Sequence, residues 1–477
     1  MSDWSKWLAE LERRKADAKA MGGEEKIKRQ QDKGRLTARE RIELLLDTDS
    51  FVEYGELAAG NPPHGEPVPA DGLVGGTGLI DQQPVVVMAE DFTVQGGSIG
   101  HVNAAKRVRL ATLAGQQKLP LVFVLDGAGE RAANALERYP RTPNDLQVLA
   151  QLKGNVPIVA LVLGVSAGHG ALAAAFADFV IISKGASLFT AGPLLVKAAL
   201  GQTINAEELG GAVMHTVESG VAHNLVESEP EAFELCRQYL QHFHITESAA
   251  VEQPTPTRHV SEIVPVDTYT PYDITELLDV IVDSGSSLFL QPDFGRSICI
   301  AMARIDGQSL MVIASQPLHS GGAITRDAAD KAAHWLSVAA GFELPVIFLA
   351  DTPGVMPGPD AEREGTLSAA AGFYLAQNRL NAAKVHVTIR KAFGFGSSLM
   401  AMNPFDDQLM SMAFPNASLG AMPGEVAATT SKEANAADQL QLQQSAAWSV
   451  ADNMAYDRII TPDSLRDELI AALSISR

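Results

Sequence analysis

The chain has 477 residues, 46% of them hydrophobic and 20% charged, with a formal net charge of −20 at pH 7. That length accommodates two or three domains with complete cores, and the acidic balance argues against a surface built for nucleic acid or anionic membranes. The only cysteines, Cys236 and Cys299, lack CxxC or Cys/His spacing, so neither a disulfide framework nor a zinc site is indicated and a cytoplasmic location fits best.

Taken in order, Met1 to Ala20 is charged throughout and offers no secretory signal. Trp4, Trp7, Leu8 and Leu11 fall at helical spacing and predict an amphipathic helix. Lys26 to Arg41 is basic, and Thr37-Ala38-Arg39-Glu40 has the capping-box pattern of a second helix start. Its cations read as a solvated helix face or, functionally, as contacts to ligand phosphates. Gly60 to Gly72 reads as a surface loop, followed by strands at Leu73 to Ile80 and Pro84 to Ala89 and a helix from about Ser98 to Gln117. Leu121 to Leu125 is the next strand, ending at Asp126-Gly127-Ala128-Gly129, and Pro157 to Leu163 is another. Val156 to Phe176 is apolar enough to suggest a membrane span, but its glycines, Pro157 and the nearby Asp178 favour a buried strand, turn and helix. Strands alternating with helices indicate an α/β fold.

Two stretches carry the candidate chemistry. Leu161 to Ala175 (LVLGVSAGHGALAAA) reads as a buried strand, a turn containing Gly164, Gly168 and Gly170, and a helix start. The peptide N–H groups of Gly168 and His169 then form a candidate oxyanion hole, aided by the positive end of the helix dipole. Val385 to Met402 (VHVTIRKAFGFGSSLMAM) repeats the order at an offset of 227. Gly96 to Gly129 also aligns without gaps on Gly321 to Gly354, with 11 identities in 34 positions, where about two or three are expected by chance. The chain is therefore read as a duplicated domain: a first half at 1–245, a Glu-, Thr- and Pro-rich linker at 246–265, and a second half at 266–477.

No GxSxG, HExxH, Walker A or complete GxGxxG motif occurs. His169 is either a packed or hydrogen-bonded histidine or a general base or nucleophile assistant. Asp126 and Asp351 end equivalent strands, where they read as turn residues capping backbone N–H groups or as an acid/base pair.

At these residues the sequence resembles the carboxyltransferase (β) subunits of biotin-dependent acyl-CoA carboxylases, the propionyl-CoA and acetyl-CoA carboxylase type. The resemblance runs through Arg35 to Glu53, Asp91 to Gly97 (DFTVQGG), Thr190 to Thr216 with Ser219 to His223, and Pro271 to Asp273. It continues through Ala303 to Gly307, Ala328 to Ala333, Asp351 to Gly358 (DTPGVMPG), Arg390 to Phe393 (RKAF) and Met454 to Leu473.

This resemblance implies tandem crotonase-like (ClpP/crotonase) α/β domains of the ββα-superhelix type. The first would bind acyl-CoA and the second biotin. Carboxybiotin arrives on a separate carrier, its ureido nitrogen takes the α-proton of the acyl-CoA, and the enolate attacks the CO2 released. Gly168 and His169 would hold the thioester oxygen, and Phe395 and Gly396 the ureido oxygen of biotin. Ala167, Gly170, Gly129, Arg131, Gly394 and Ser398 would complete the substrate sites, Ser398 standing where the family tunes acyl preference. No metal is implied. Partners would be a biotin carboxylase with its carrier and further copies of the chain in a trimer of dimers, each site joining the first half of one subunit to the second half of another.

The chain departs from the family pattern at Ala167-Gly168-His169-Gly170 (commonly AGGA), Gly394-Phe395-Gly396 (GGA), Asp126 to Arg131 (DSGGAR) and Met422-Pro423-Gly424-Glu425-Val426 (MGAEGAV). Two other readings stay open on the residues: a biotin-independent acyl-CoA decarboxylase or other crotonase-type enzyme using His169 or Glu130 for proton handling, and a non-catalytic scaffold.

Overall fold

Short apolar runs ended by glycine or aspartate become strands buried on both faces, the signature of a parallel sheet covered by helices. In the computed structural model, residues 4–59, 68–131, 144–243, 258–403, 407–422, 442–443 and 446–475 are described. They fall into two compact units, Met1–Gln241 and His242–Arg477.

The first unit opens with helices α1 (Ser5–Lys19), α2 (Glu24–Gln31) and α3 (Ala38–Leu45). α3 begins with the capping box expected at Thr37 and Glu40. Its sheet comprises β1 (Val52–Glu53), β2 (Leu73–Ile80), β3 (Gln83–Glu90), β4 (Leu121–Gly127), β5 (Ile158–Ala167), β6 (Phe179–Ser183), β7 (Ser187–Phe189) and β8 (Asn224–Val226). The order is β1-β2-β3-β4-β5-β6-β8, with β7 also paired to β5. The β1–β2 and β2–β3 pairs are antiparallel; from β3 onward the pairs are parallel. Helices α4 (His101–Gln117), α5 (Asp145–Leu152), α6 (His169–Phe176) and α7 (Pro193–Leu200) follow in the connections. Leu110, Ala114, Phe123, Leu149, Ala160 and Val162 share one buried core.

The second unit repeats the plan with β9 (Leu288–Leu290), β10 (Ile298–Ile305), β11 (Gln308–Ser315), β12 (Val346–Thr352), β13 (Lys384–Phe393), β14 (Met410–Ala413), β15 (Ser418–Gly420) and β16 (Arg458–Ile459). Its order is β16-β14-β13-β12-β11-β10-β9, with β15 paired to β13. Residues 246–257 of the expected linker lie outside the described residues, as do 60–67 of the expected loop and 423–426. The end of the linker is not irregular: Val260–Ile263 is a short helix, and Val260, Ile263 and Val264 are buried in the second unit's core. Their apolar side chains outweigh the Pro- and Thr-rich composition around them. Among the described residues no helix is long and apolar enough to cross a membrane.

Candidate active site

The expected turn begins later than the sequence suggests. β5 runs through Ala167, so Gly164 is a strand residue rather than part of the turn. A Cβ built at Gly164 would lie 1.9 Å from Oδ1 of Asp126, and it is this buried carboxylate that requires the glycine. The turn itself is Gly168, whose φ of 57° and ψ of −113° let the chain leave the strand and start α6 at His169.

Strand register corrects the match between the halves. Leu125 pairs with Val162 and Gly127 with Ser166; Ala350 pairs with Thr388 and Thr352 with Ala392. β5 and β13 therefore correspond at an offset of 226, not 227, because ladder hydrogen bonds fix register to the residue. Gly168 matches Gly394, which has the same φ of 57°, and His169 matches Phe395.

In the first unit a pocket of about 480 Å³ is lined by Ala128, Gly129, Glu130, Ala167, Gly168 and His169 on one side. Phe189, Thr190, Gly192, Leu194 and Leu195 also line it. Four expected site residues, Gly129, Ala167, Gly168 and His169, thus come together. Gly129 is held close: with φ at 87°, its Cβ would stand 2.8 Å from the Ala167 carbonyl oxygen. The N–H of Gly168, one of the two expected donors, instead donates to the Phe189 carbonyl at 2.9 Å, because β7 pairs alongside the end of β5. The first-turn N–H groups of α6, from His169 onward, have no intrahelical acceptor and lie at the positive end of the helix dipole.

His169 is neither exposed nor apolar-packed. Its Nε2 lies 2.8 and 2.9 Å from the two carboxylate oxygens of Asp145, and the side chains are 6% and 2% exposed. Asp145 is the first residue of α5, placed there by the Asn144 side chain, which accepts from the N–H of Leu146. Asp145 was missed in the sequence because an Asn-Asp pair before an apolar run signals only a helix start.

Two other expected substrate residues point elsewhere. Arg131 donates from Nε to Ser98 Oγ at 3.0 Å and from Nη2 to the Ser98 carbonyl at 2.9 Å, and it forms an ion pair with buried Asp71. Its donors are committed to joining loops. Gly170 is buried, its Cβ position 3.1 Å from Ser166 Oγ and 3.2 Å from Glu90 Oε1, so it serves close packing of α6 on the sheet.

In the second unit Phe395 is 56% exposed and lines an apolar groove of about 430 Å³ with Leu367, Ala370, Ala371, Tyr374, Leu375 and Leu399. Gly396 is buried, with its Cβ position 2.7 Å from Cα of Gly354. Ser398 is half-buried, is not among the groove's lining residues, and accepts from Gln377 Nε2 through its carbonyl at 2.8 Å.

The strand-end aspartates neither cap N–H groups nor face a pocket as an acid/base pair. Asp126 accepts from Arg41 at 3.0 Å and Gln30 at 3.1 Å, while Arg41 also makes two 2.8 Å bonds to Glu229. Arg41 is fully buried, so it is neither a solvated cation nor a phosphate ligand: the apolar face of α3 carries it inward. Asp351 accepts from Arg390 Nε at 2.7 Å; burial pushes its carboxyl up, against the pull of Arg390 and Lys391. The repeated lysines are structural too. Lys106 donates to the carbonyls of Ala70 and Leu73 and Lys331 to those of Gln291 and Phe294, and burial holds each down to about 8.

Comparison with known proteins gives this geometry a setting. A profile of the carboxyl transferase domain matches residues 29–476. The propionyl-CoA carboxylase carboxyltransferase subunit of Haloferax mediterranei is 31% identical over 491 residues, covering 98% of this chain and 95% of that protein. The methylmalonyl-CoA carboxyltransferase 12S subunit of Propionibacterium freudenreichii is 32% identical over 480 residues, covering 96% and 91%. A crystal structure of transcarboxylase 12S, with methylmalonyl-coenzyme A and methylmalonic acid bound, superposes with a TM-score of 0.91 at 30% identity, covering 100% of this chain and 96% of that one. The two units are crotonase-like α/β domains in tandem, and the chain belongs to the carboxyl transferase domain family.

Proposed function

We propose that this protein is the carboxyltransferase subunit of a biotin-dependent acyl-CoA carboxylase, with acyl-CoA bound by the first domain (1–245) and biotin by the second (266–477). The observation that carries the reading is the convergence of Gly129, Ala167, Gly168 and His169 on one pocket at the start of α6. Fixed N–H donors aimed at an oxygen that gains charge are often the largest single catalytic term. With Gly168 spent on Phe189, the peptide N–H of His169 faces the thioester oxygen, with the Gly129 turn opposite. Leu194 and Leu195 exclude water from the acyl group.

The groove at Phe395 suits a flat, largely apolar ring: its polar surface is slight, and Phe395, Tyr374 and Leu367 are exposed along it. Phe395 and Gly396 present the ureido oxygen's site at its edge. Biotin, when bound, supplies the carboxyl group and the nitrogen that takes the α-proton. The partners are a biotin carboxylase with its carrier, and further copies of this chain in a hexamer like that of transcarboxylase 12S. A cytoplasmic location accords with the unpaired cysteines.

The test is loss of the carboxyl group from malonyl-CoA and methylmalonyl-CoA, with and without free biotin. Biotin-dependent loss, the reverse half-reaction, is the expected result. Equal loss without biotin would replace this reading with a side-chain decarboxylase, which the His169–Asp145 pair favours over the scaffold.

A further inference from the structure

The side of the first unit's pocket formed by Phe189, Thr190, Gly192, Leu194 and Leu195 has little of its own to hold it. No residue of α7 is buried, and Leu194 and Leu195 are 85% and 63% exposed, so this wall is fixed to the fold through β7. That strand is three residues long and is paired along one edge to β5, which leaves backbone groups on its other edge in need of partners. The segment from Ala206 to Ser219 supplies them. Ser187 is bridged to Gly211, and Nε2 of His215 donates to the Leu188 carbonyl at 2.6 Å. The ring is held from its other side too, with Nδ1 hydrogen-bonded to Ser219 Oγ at 2.7 Å across a single π-helical turn, His215–Ser219, a rare form that is frequent at functional sites. Gly210 closes over the contact: its Cβ would lie 2.2 Å from the Leu188 oxygen and 3.2 Å from His215 Nε2, so only a glycine leaves room for the bond. One residue on, the Phe189 carbonyl accepts the N–H of Gly168, the turn from which α6 and the His169 peptide start. A continuous path thus leads from Ser219 through His215, Leu188 and Phe189 to the oxyanion donor.

We propose that His215 is a positioning residue for carboxyl transfer: by fixing the Leu188 carbonyl it holds β7 where Phe189 seats the Gly168 turn, and so aims the His169 peptide N–H at the thioester oxygen. The inference rests on the reading that the thioester occupies this pocket. His215 is not among the residues that line the pocket and touches no reacting atom. What it controls is a distance. An oxyanion donor acts only when it stands within hydrogen-bond reach of the oxygen as charge develops there, and a misplacement of about 1 Å costs roughly 100-fold in rate. With three ladder positions on one edge of β7 and nothing buried in α7, the tie at Leu188 is what keeps the other edge from shifting. The corresponding turn of the second unit is tied by a different group, Gln443, which donates from Nε2 to the Met422 carbonyl at 2.9 Å. The groove at Phe395 therefore does not depend on His215.

The experiment compares full-length wild type with His215→Leu, His215→Gln and Gly210→Ala in two assays. Amide hydrogen exchange of the free protein, read by mass spectrometry over residues 164–176, reports whether the Gly168 turn is held. Loss of the carboxyl group from methylmalonyl-CoA with free biotin reports what that holding is for. His215→Leu is expected to speed exchange in this segment and to lower kcat roughly 10- to 100-fold, with the KM for free biotin unchanged. His215→Gln, whose amide can still donate to Leu188, should bring kcat back to within a few-fold of wild type, a rescue that a general loss of folding would not show. Gly210→Ala intrudes on the same contact with the imidazole left in place, and should reproduce the loss. Circular dichroism checks the fold of each variant; should His215→Leu not fold, Ser219→Ala, which releases one side of the ring, carries the same test with a smaller loss in the same direction. Wild-type kcat in a folded His215→Leu protein, or in Ser219→Ala where that variant stands in, overturns the inference and leaves the carboxyltransferase reading standing. A loss that His215→Gln fails to restore, or that is matched by a rise in the KM for biotin, also overturns it, since His215 is then a general prop of the fold. Wild-type protein without biotin-dependent turnover removes the reading and the inference together, whatever the exchange shows.

Discussion

The two halves hold the same buried aspartate in opposite ways. At the end of β4, Asp126 meets Arg41, which comes from α3, outside the repeated sheet. At the end of β12, Asp351 meets Arg390, which belongs to the adjacent strand β13. By strand register Arg390 stands where the first half has Gly164, and the space left by that glycine is filled by the carboxylate of Asp126. The first half keeps a bare strand and recruits its cation from a distant segment; the second carries its own. An internal duplication can therefore preserve an ion pair without preserving which element supplies the partner. One consequence is that α3, with Ala38, Arg41, Ile42 and Leu45 buried, is part of the first unit's interior.

Breaking that recruited cation has the largest expected effect. Arg41→Ala leaves Asp126 and Glu229 buried without it, with Arg35 4.0 Å away as the nearest substitute for Asp126, and removing one partner of a buried pair costs about 3–5 kcal/mol. Arg390→Ala should cost less, since Lys391 Nζ remains 3.6 Å from Asp351. Hydrogen exchange read separately in each unit checks this, and an equal loss of protection would show that the two pairs are interchangeable after all. A smaller effect comes from Gly164→Ala, whose methyl group overlaps Asp126; overpacking of this kind costs about 1–3 kcal/mol. Adding Asp126→Ala removes the overlap, so urea unfolding of the double variant should show less than the sum of the single losses.

Most of the strand and helix order was legible, because apolar runs, glycine turns and the Thr37 capping box act locally. The duplication was visible in Lys106/Lys331 and Asp126/Asp351, but not the reason for it. Whether a lysine caps carbonyls or an aspartate meets arginine depends on segments dozens of residues away. For the same reason Arg41 read as a surface cation and Arg131 as a substrate ligand. The glycine pattern located the pocket, yet Gly168's N–H was already committed to β7, a pairing no local signal records. Asp145 could not be matched to His169 before the fold brought α5 beside α6.

A third difference is one of pH. Where β5 has Ala160, β13 has His386, fully buried, with Nδ1 donating to the Met400 carbonyl at 2.6 Å and Nε2 hydrogen-bonded to Thr388 Oγ1 at 2.7 Å. The hydroxyls of Thr388 and Tyr456 share a hydrogen bond in turn, at 2.7 Å. The neutral form is the one this site favours, because burial penalises the ring cation and lowers its pKa from 6.5 to about 4. Between those values the unfolded chain binds a proton that the folded chain refuses. Its contribution is present in full above about pH 6.5 and falls away as pH drops toward about 4, at about 1.4 kcal/mol per pH unit. Urea titrations at pH 7 and pH 5 should show His386→Gln losing less stability on acidification than wild type. An unchanged pH slope would place the acid sensitivity elsewhere.

The smallest test concerns the helices that follow the Gly-Gly turns, where recruitment recurs. The helix Arg326–Gly341 is capped by its own residue: Thr325 Oγ1 accepts from the N–H of Ala328 at 3.2 Å. α4 begins after Gly100, which has no side chain to offer, and the equivalent N–H, that of Asn103, donates at 2.8 Å to Asp71 from the preceding loop. A Cβ at Gly100 would lie 2.2 Å from Arg131 and 2.4 Å from Asp71, so the glycine is the space in which the recruited cap and its arginine meet. Thr325→Ala removes one cap and should cost about 1 kcal/mol, and Thr325→Gly only a few tenths more than nothing. Asp71→Ala removes a cap and leaves Arg131 without its carboxylate, so its loss should exceed that of Thr325→Ala. If thermal unfolding ranked the two the other way, Arg131 would have a second anionic partner, and its assignment as a loop tie rather than a substrate ligand would be reversed.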